Sequence, residues 1–321
     1  MSAIRSAKHS DHPREHKPKK IKHFKSNMQL TLLVLPGFLL LLFLCYIPMP
    51  GLVLAFKNYN FIDGIFKSPW VGLENFKFIF STETSLVAFR NTILYNAAFI
   101  VTIIGGSLFL AILLNQIRKR VFLKTYQTAI FLPYFLSWTV VAYIVLALLD
   151  NSKGMVNGLI TALGGEKIEF YFEPKYWPAI HVILNFWKNM GYNTLLYYAA
   201  IIAIDPAYYE AAKMDGAKPW QLARYITIPG IYPVIVITFL NMLGRVFYSD
   251  FGQFYLVPLE SPMLMNVTST LDTYVYEALR GAASMGMGAA AGLFQSVSGF
   301  ILVLIANGVI RRKFGKERAM F

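Results

Sequence analysis

The stretch AIDPAYYEAAKMDGAKPWQLARYITIP, residues 203–229, is a polar and charged segment that lies between two long apolar runs. Asp205-Pro206 is a typical helix start, because aspartate caps a first turn and proline is tolerated there, so we predict a helix over 206–214. Gly216 then supplies a turn, and Pro219 starts a second short helix. The segment therefore predicts two short helices arranged in an L, too polar to cross a membrane.

The composition of the rest of the chain is that of an integral membrane protein. Hydrophobic residues make up 56% and charged residues 15% of the 321 residues, which is more apolar surface than one soluble core needs. A helix needs about 20 largely apolar residues to cross a bilayer. We therefore predict an all-α integral membrane protein with six transmembrane helices, at roughly 30–56, 91–117, 122–149, 178–204, 229–256 and 288–310.

Basic residues fix the orientation of these six spans. If the spans alternate, the basic clusters fall on one side of the membrane, which predicts that both termini are cytoplasmic. The net charge of +13 is then largely a topological signal; nucleic-acid binding is the alternative, but no folded basic domain is evident to present such a patch. The clusters are REHKPKKIKHFK at 14–25, RKR at 118–120, the loop with Lys213, Lys218 and Arg224, and RRKFGKER at 311–318.

The sequence lacks the motifs of an enzyme. It has no GxxxxGK[ST] loop for a nucleotide, no HExxH or CxxC pair for zinc, and no GxSxG elbow. Cys45 is the single cysteine, and four of the five histidines lie before residue 28. We therefore expect no catalytic residue, no metal ligand and no cofactor in this chain.

The helix over 206–214 has the features of a docking element. The side chains of Ala211 and Ala212 are small, so this side of the helix can enter a groove on another protein. Glu210 and Asp215 offer carboxylates to basic groups there. An amphipathic helix that lies on the membrane surface is an equally good reading of the residues by themselves.

The same loop resembles the EAA loop of the permease subunits of bacterial ABC importers. The likeness consists of Glu210-Ala211-Ala212, Gly216 and Ile226-x-x-Pro229, between the predicted fourth and fifth spans. The chain after residue 28 is similar to the carbohydrate branch of that family, the maltose-type permeases, and most like the LplB/YteP-type oligosaccharide permeases. The other matching segments are WVGLENFKFIF at 70–80, FRNTILYN at 89–96, FLPYFLSW at 131–138, GMVNGLI at 154–160 and GMGAAAGLFQSV at 286–297.

The resemblance implies one half of a type I importer in the bacterial cytoplasmic membrane. A second homologous permease would pair with it, two ATPase subunits that bind ATP and Mg would dock on the EAA loops, and an extracytoplasmic solute-binding lipoprotein would deliver an oligosaccharide. The coupling residues would be Glu210, Ala211, Ala212, Asp215 and Gly216. The expected domains are a disordered basic tail over 1–28, a permease domain over 29–313 with its coupling loop at 205–228, and a cytoplasmic tail over 314–321.

Two polar stripes mark a candidate substrate pathway. Polar groups at membrane depth are costly and face cavities or one another, and a cation near the midplane costs at least about 3 kcal/mol. Asparagines and threonines can also simply tie helices together, and Asp250 could neutralise Arg245. The candidates are Asn185, Trp187, Lys188, Asn189, Tyr192 and Asn193 in the fourth span, and Thr238, Asn241, Arg245 and Tyr248 in the fifth.

The two cations suggest an acidic cargo. A carboxylate on the sugar would offset part of the cost of holding Lys188 and Arg245 at depth. An ABC permease for a non-sugar solute and a secondary transporter stay open as alternatives, although no internal repeat of the secondary-transporter kind is evident. An intramembrane enzyme is poorly supplied, because only His181 lies near a span.

Overall fold

The computed structural model describes residues 23–281 and 285–315. Within these ranges the chain is helical, and an isolated antiparallel bridge between Lys57 and Trp70 is the single β element. The predicted tail residues 1–22 and 316–321 lie outside the described part. The helix that starts at His23 includes 23–28, which the sequence had placed in the disordered tail.

The chain divides into two units, Met1–Gly51 and Leu52–Phe321. In the first unit the helix His23–Leu41 continues as a π-helical turn, Leu42–Tyr46. A 3-10 helix, Met49–Phe56, spans the boundary between the units, and in the second unit short helices precede the long helix Glu83–Asn115. The remaining helices before the coupling loop are Gly64–Lys67, Glu74–Lys77, Arg120–Phe131, the 3-10 turn Leu132–Phe135, Trp138–Leu149, Met155–Ala162, the 3-10 turn Pro174–Tyr176 and Trp177–Ile202.

The second half of the chain contains the coupling loop and the last two spans. The coupling helix, Pro206–Met214, is followed by Pro219–Leu222, the π-helical turn Ala223–Thr227 and Ile228–Gly230. The helices after them are Tyr232–Gly244, the π-helical turn Gly252–Leu256, the 3-10 turn Pro262–Leu264, Met265–Thr268, Leu271–Arg280 and Met285–Phe314.

Three of the described helices are long and apolar enough to cross a membrane, or five if each of two bent pairs is one span. The three lie at Leu30–Phe56, Glu83–Asn115 and Met285–Lys313. The predicted fourth span is the 26-residue helix Trp177–Ile202, about 39 Å long, whose polar face lowers its hydropathy. Counting it gives the six spans of the type I permease fold.

Two of the six predicted spans are bent rather than continuous. The third bends by 100° between Arg120–Phe135 and Trp138–Leu149, and the fifth by 64° between Pro219–Gly230 and Tyr232–Gly244. The break in the third span follows Pro133, and Ser137 caps the helix after it by accepting a hydrogen bond from Val140 N at 3.3 Å. The predicted continuous helices at 122–149 and 229–256 are therefore wrong in shape.

The second, fourth and fifth spans form the centre of the larger unit. Near the coupling loop, Ala111, Tyr197, Ile201 and Ile231 form a buried cluster. Gly299 of the sixth span lies so close to the fifth that an added Cβ would come within 2.2 Å of Gly244 O. The cluster packs the fifth span against the second and fourth, and the glycine contact packs it against the sixth.

Candidate functional site

A cavity of about 520 Å³ lies between the fourth and fifth spans. Asn185, Asn189 and Asn193 reach it from the fourth span because residues four apart share one face of a helix. Asn241, Arg245 and Tyr248 line it from the other side. The rest of the wall consists of Asn96, Phe99, Ile103, Met242, Ser249, Asp250 and Phe251.

The second stripe does not follow one helix as the sequence suggested. The helix ends at Gly244, with Arg245 as its C-cap, so Arg245 and Tyr248 reach the cavity from the irregular segment beyond it. That segment is fixed by Asp272, whose Oδ2 accepts hydrogen bonds from Ser249 N and, at 2.8 Å, from Ser249 Oγ. The close contact with Gly299 lies at the point where the helix stops.

Lys188 does not line the cavity. Its ammonium donates to Leu136 O at 2.6 Å and to Tyr134 O at 3.1 Å, and it lies 5.3 Å from the centre of the Trp138 ring. These carbonyls belong to the break in the third span, where the helical bonds are interrupted. Lys188 thus satisfies backbone oxygens of the third span, and its role in the substrate pathway stays a prediction.

The described residues do not show the alternative in which Asp250 neutralises Arg245. Asp250 Oδ2 accepts a hydrogen bond from Trp138 Nε1, and its Oδ1 accepts one from Gly252 N at 3.2 Å. The Arg245 guanidinium is exposed and has no hydrogen-bonding or ionic partner within residues 23–281 and 285–315. Arg245 therefore offers an unpaired cation to the cavity.

Three further candidates are packing residues rather than cavity residues. Trp187 packs against the cluster around Val141, the Tyr192 ring stacks on Tyr134 with centroids 5.4 Å apart, and Thr238 is buried. None of the three is among the residues that line this cavity. Their place in the substrate pathway stays a prediction.

Asn96 is a cavity residue that the sequence did not reveal. It lies in the second span, and its Nδ2 donates to Tyr248 O at 2.8 Å, so it joins that span to the segment beyond Gly244. A single asparagine in an apolar helix has no periodic pattern to mark it. The matching segment FRNTILYN, which ends at this residue, was the only signal.

A chain of side-chain amides orients Asn185. Gln253 Nε2 donates to His181 O at 2.8 Å, so Gln253 Oε1 is the atom that accepts from Asn185 Nδ2, also at 2.8 Å. Asn185 Oδ1 is left buried without a partner in the described part of the chain. An unsatisfied acceptor beside a cavity favours a ligand that donates a hydrogen bond.

The two predicted short helices of the coupling loop are confirmed. Asp205 caps the helix Pro206–Met214 by accepting a hydrogen bond from Ala207 N at 2.9 Å, and Gly216 adopts a φ of +78° at the turn. The coupling candidates Glu210, Ala211, Asp215 and Gly216 are exposed, and Ala212 is half-buried. The loop thus presents an exposed surface, with the carboxylates of Glu210 and Asp215, that other proteins can contact.

Comparison with known proteins places the chain among transporters. Residues 103–315 match the family model described as "Binding-protein-dependent transport system inner membrane component". The chain is 37% identical over 288 residues to the polygalacturonan/rhamnogalacturonan transport system permease protein YteP of Bacillus subtilis, covering 90% of this chain and 89% of that protein. It is 36% identical over 293 residues to protein LplB of the same organism, covering 91% of each.

A solved structure extends the likeness to the whole fold. A chain of a bacterial ABC transporter involved in the import of the acidic polysaccharide alginate superimposes with a TM-score of 0.81 at 31% identity, covering 91% of this chain and 98% of that one. A second structure of the bacterial alginate transporter is in complex with a periplasmic protein bound to an alginate pentasaccharide, and matches with the same TM-score of 0.81.

Proposed function

The chain belongs to the family of binding-protein-dependent transport system inner membrane components, and we propose that it is a permease subunit that imports acidic oligosaccharides. The single observation that carries the cargo class is the cavity, where an arginine without a partner among the described residues faces five asparagines. Carboxamides bind sugar hydroxyls, and a guanidinium binds a carboxylate in two parallel hydrogen bonds. An oligosaccharide that contains uronic acids has both groups.

The relatives support this cargo class. YteP is named for polygalacturonan and rhamnogalacturonan, and the matching structures belong to a transporter of alginate, an acidic polysaccharide. Arg245 is the group in this chain that would take a carboxylate, since Lys188 is bound to the backbone at the break. In this proposal one arginine, rather than two cations, binds the carboxylate of the cargo.

The full importer would contain partners outside this chain. A second homologous permease would complete the pathway, an extracytoplasmic solute-binding lipoprotein would deliver the cargo, and two ATPase subunits would bind ATP and Mg. The exposed coupling loop supports ATPase docking through Glu210, Ala211, Ala212, Asp215 and Gly216. In this arrangement the loop and both termini are cytoplasmic, in the bacterial cytoplasmic membrane.

An uptake assay with matched cargoes tests the proposal. The importer, purified with its native partners and reconstituted in vesicles, is given a galacturonate trisaccharide or a neutral galactose trisaccharide. Loss of a hydrogen-bonded charge pair costs about 1.5–3 kcal/mol, so Arg245→Gln should lower uptake of the acidic sugar by about tenfold or more. Uptake of the neutral sugar should change by less than about threefold, because it makes no such pair.

Lys175→Gln is the matched control. Lys175 is an exposed cation whose Nζ lies 2.6 Å from Glu173 Oε2 in the segment before the fourth span, and its loss should leave both uptakes unchanged. Equal losses for both sugars in Arg245→Gln would contradict the acidic cargo. Uptake without ATP would instead indicate a secondary transporter, and no uptake of either sugar would indicate another class of solute.

A further inference from the structure

Two tyrosine-to-threonine hydrogen bonds join the fourth span and coupling helix to the fifth span. The first is at the coupling helix, where Tyr209 OH lies 3.0 Å from Thr227 Oγ1. The Thr227 hydroxyl donates its proton to Leu222 O at 3.3 Å, so it accepts from Tyr209. The bond connects two segments that are 18 residues apart in the sequence.

The second bond has the same arrangement deeper in the membrane. Tyr197 OH lies 2.7 Å from Thr238 Oγ1, and both groups are buried. The Thr238 hydroxyl faces Ile235 O at 2.9 Å and Val234 O at 3.0 Å, one turn back on its own helix. Tyr197 is therefore the donor here too.

The two bonds lie on either side of the 64° bend in the fifth span. Thr227 precedes the bend and Thr238 follows it. Their partners come in the reverse order along the chain, because Thr227 pairs with the later tyrosine, Tyr209, and Thr238 with the earlier one, Tyr197. Ile231, at the bend, is 1% exposed and packs against Tyr197 and Ile201. The bend is thus closely packed and held at both ends.

Packing is much looser at the coupling helix. A cavity of about 360 Å³ lies between this helix and the ends of the second and fourth spans, and Tyr209 and Thr227 both line it. Among the described residues, the bond between these two side chains is the one side-chain hydrogen bond that joins Pro206–Met214 to residues beyond Gly216. Side chains that border a cavity transmit a push poorly, so the hydrogen bond has to supply the connection.

We propose, on the basis of the function proposed above, that Tyr209 and Thr227 are positioning residues for coupled transport. Their hydrogen bond makes the fifth span follow the coupling helix when the ATPases close. Tyr197–Thr238 then holds the fifth span against the fourth, three residues before Asn241 at the sugar cavity. Because that bond fixes one point of the fifth span, motion at the coupling loop reaches the cavity as a tilt about this point, which shifts Asn241 relative to the asparagines of the fourth span.

A cysteine reporter in the cavity tests this connection without any cargo. The importer is purified from its native membrane with its partners, as the Asn241→Cys variant in a Cys45→Ser background. The rate of maleimide labelling is measured with and without ATP and vanadate, and ATP hydrolysis is followed in parallel. Labelling should depend on nucleotide in this parent protein.

Removing the hydroxyls should uncouple the reporter. Tyr209→Phe and Thr227→Val should each reduce the nucleotide-dependent change in labelling by about threefold to tenfold, the size of one net hydrogen bond. Thr227→Ser keeps the hydroxyl and should therefore retain the nucleotide-dependent change in labelling. The double variant should lose no more than either single one, because both remove the same bond. Tyr197→Phe should also reduce the change, whereas its neighbour Tyr198→Phe should not.

The outcomes separate this inference from the proposed function. Full nucleotide dependence in Tyr209→Phe and Thr227→Val, or additive losses in the double variant, would overturn the positioning role. If Tyr209→Phe does not assemble, the comparison of Thr227→Val with Thr227→Ser still decides. If the labelling rate of the parent protein is the same with and without nucleotide, the ATP-driven function itself is contradicted. The positioning role then falls with it.

Discussion

Replacing Lys188 by methionine should destabilise the protein without changing which sugars it carries. The substitution keeps an unbranched apolar side chain but removes the ammonium that donates to Leu136 O and Tyr134 O. Hydrogen bonds to charged groups contribute about 1.5–3 kcal/mol each, so two of them set a ceiling of about 3–6 kcal/mol. One ammonium serves both carbonyls, so the lower end, about 3 kcal/mol, is the expected loss.

Such a loss is large enough to measure on the purified importer. For a chain of this size, about 3 kcal/mol corresponds to a fall in the apparent Tm of roughly 5–10 °C. Arg245→Met is the matched control, because Arg245 is a cation of the same region without a partner in the described residues, and its apparent Tm should move by less than about 2 °C. Uptake of acidic and neutral trisaccharides should fall together in Lys188→Met.

The opposite pattern would refute the assignment of Lys188 to the break. An unchanged Tm combined with a selective loss of acidic uptake in Lys188→Met would mean that its ammonium faces the cargo. A fall in Tm for Arg245→Met as large as that for Lys188→Met would mean that the guanidinium has a structural partner after all.

Three more outcomes follow from the fold and the loop. In a Cys45→Ser background, labelling should occur only from the cytoplasm for Arg120→Cys, Asp215→Cys and Gly315→Cys, and only from outside for Ile65→Cys, Gly165→Cys and Met265→Cys. Labelling of Gly165→Cys from the cytoplasm would contradict the six-span topology. Gly216→Pro, which cannot adopt the φ of +78° at the turn, should abolish ATP-driven uptake while membrane insertion persists, and wild-type uptake would remove the coupling role. The backbone N–H groups of Lys153 and Ser152 lower the pKa of the Asp150 carboxyl, so this carboxylate stabilises the fold above the unfolded-state pKa of about 3.9 and ceases to do so as pH falls. The apparent Tm values of wild type and Asp150→Ala should therefore converge below about pH 4. A difference in Tm that does not change with pH would contradict this.

The coupling loop could be predicted in detail because the interactions that shape it are local. A capping aspartate, a proline in the first turn and a glycine with positive φ act within a few residues of each other, so their effect can be read in order along the chain. The face of Asn185, Asn189 and Asn193 was predictable for the same reason, since the helical repeat alone places them together. The family resemblance supplied the role, which no local interaction specifies.

The partners of the charged residues were decided by tertiary structure alone. Lys188 binds carbonyls more than 50 residues away, at a break that the apolar run around Pro133 did not reveal. Asp250 binds Trp138 rather than Arg245, and Asn96 enters the cavity from another span. Hydropathy and periodicity report which face of a helix is polar, but they carry no information on which helix lies opposite it. In a membrane, where every buried donor and acceptor needs a partner, that neighbour decides whether a polar side chain supports the fold or meets the cargo.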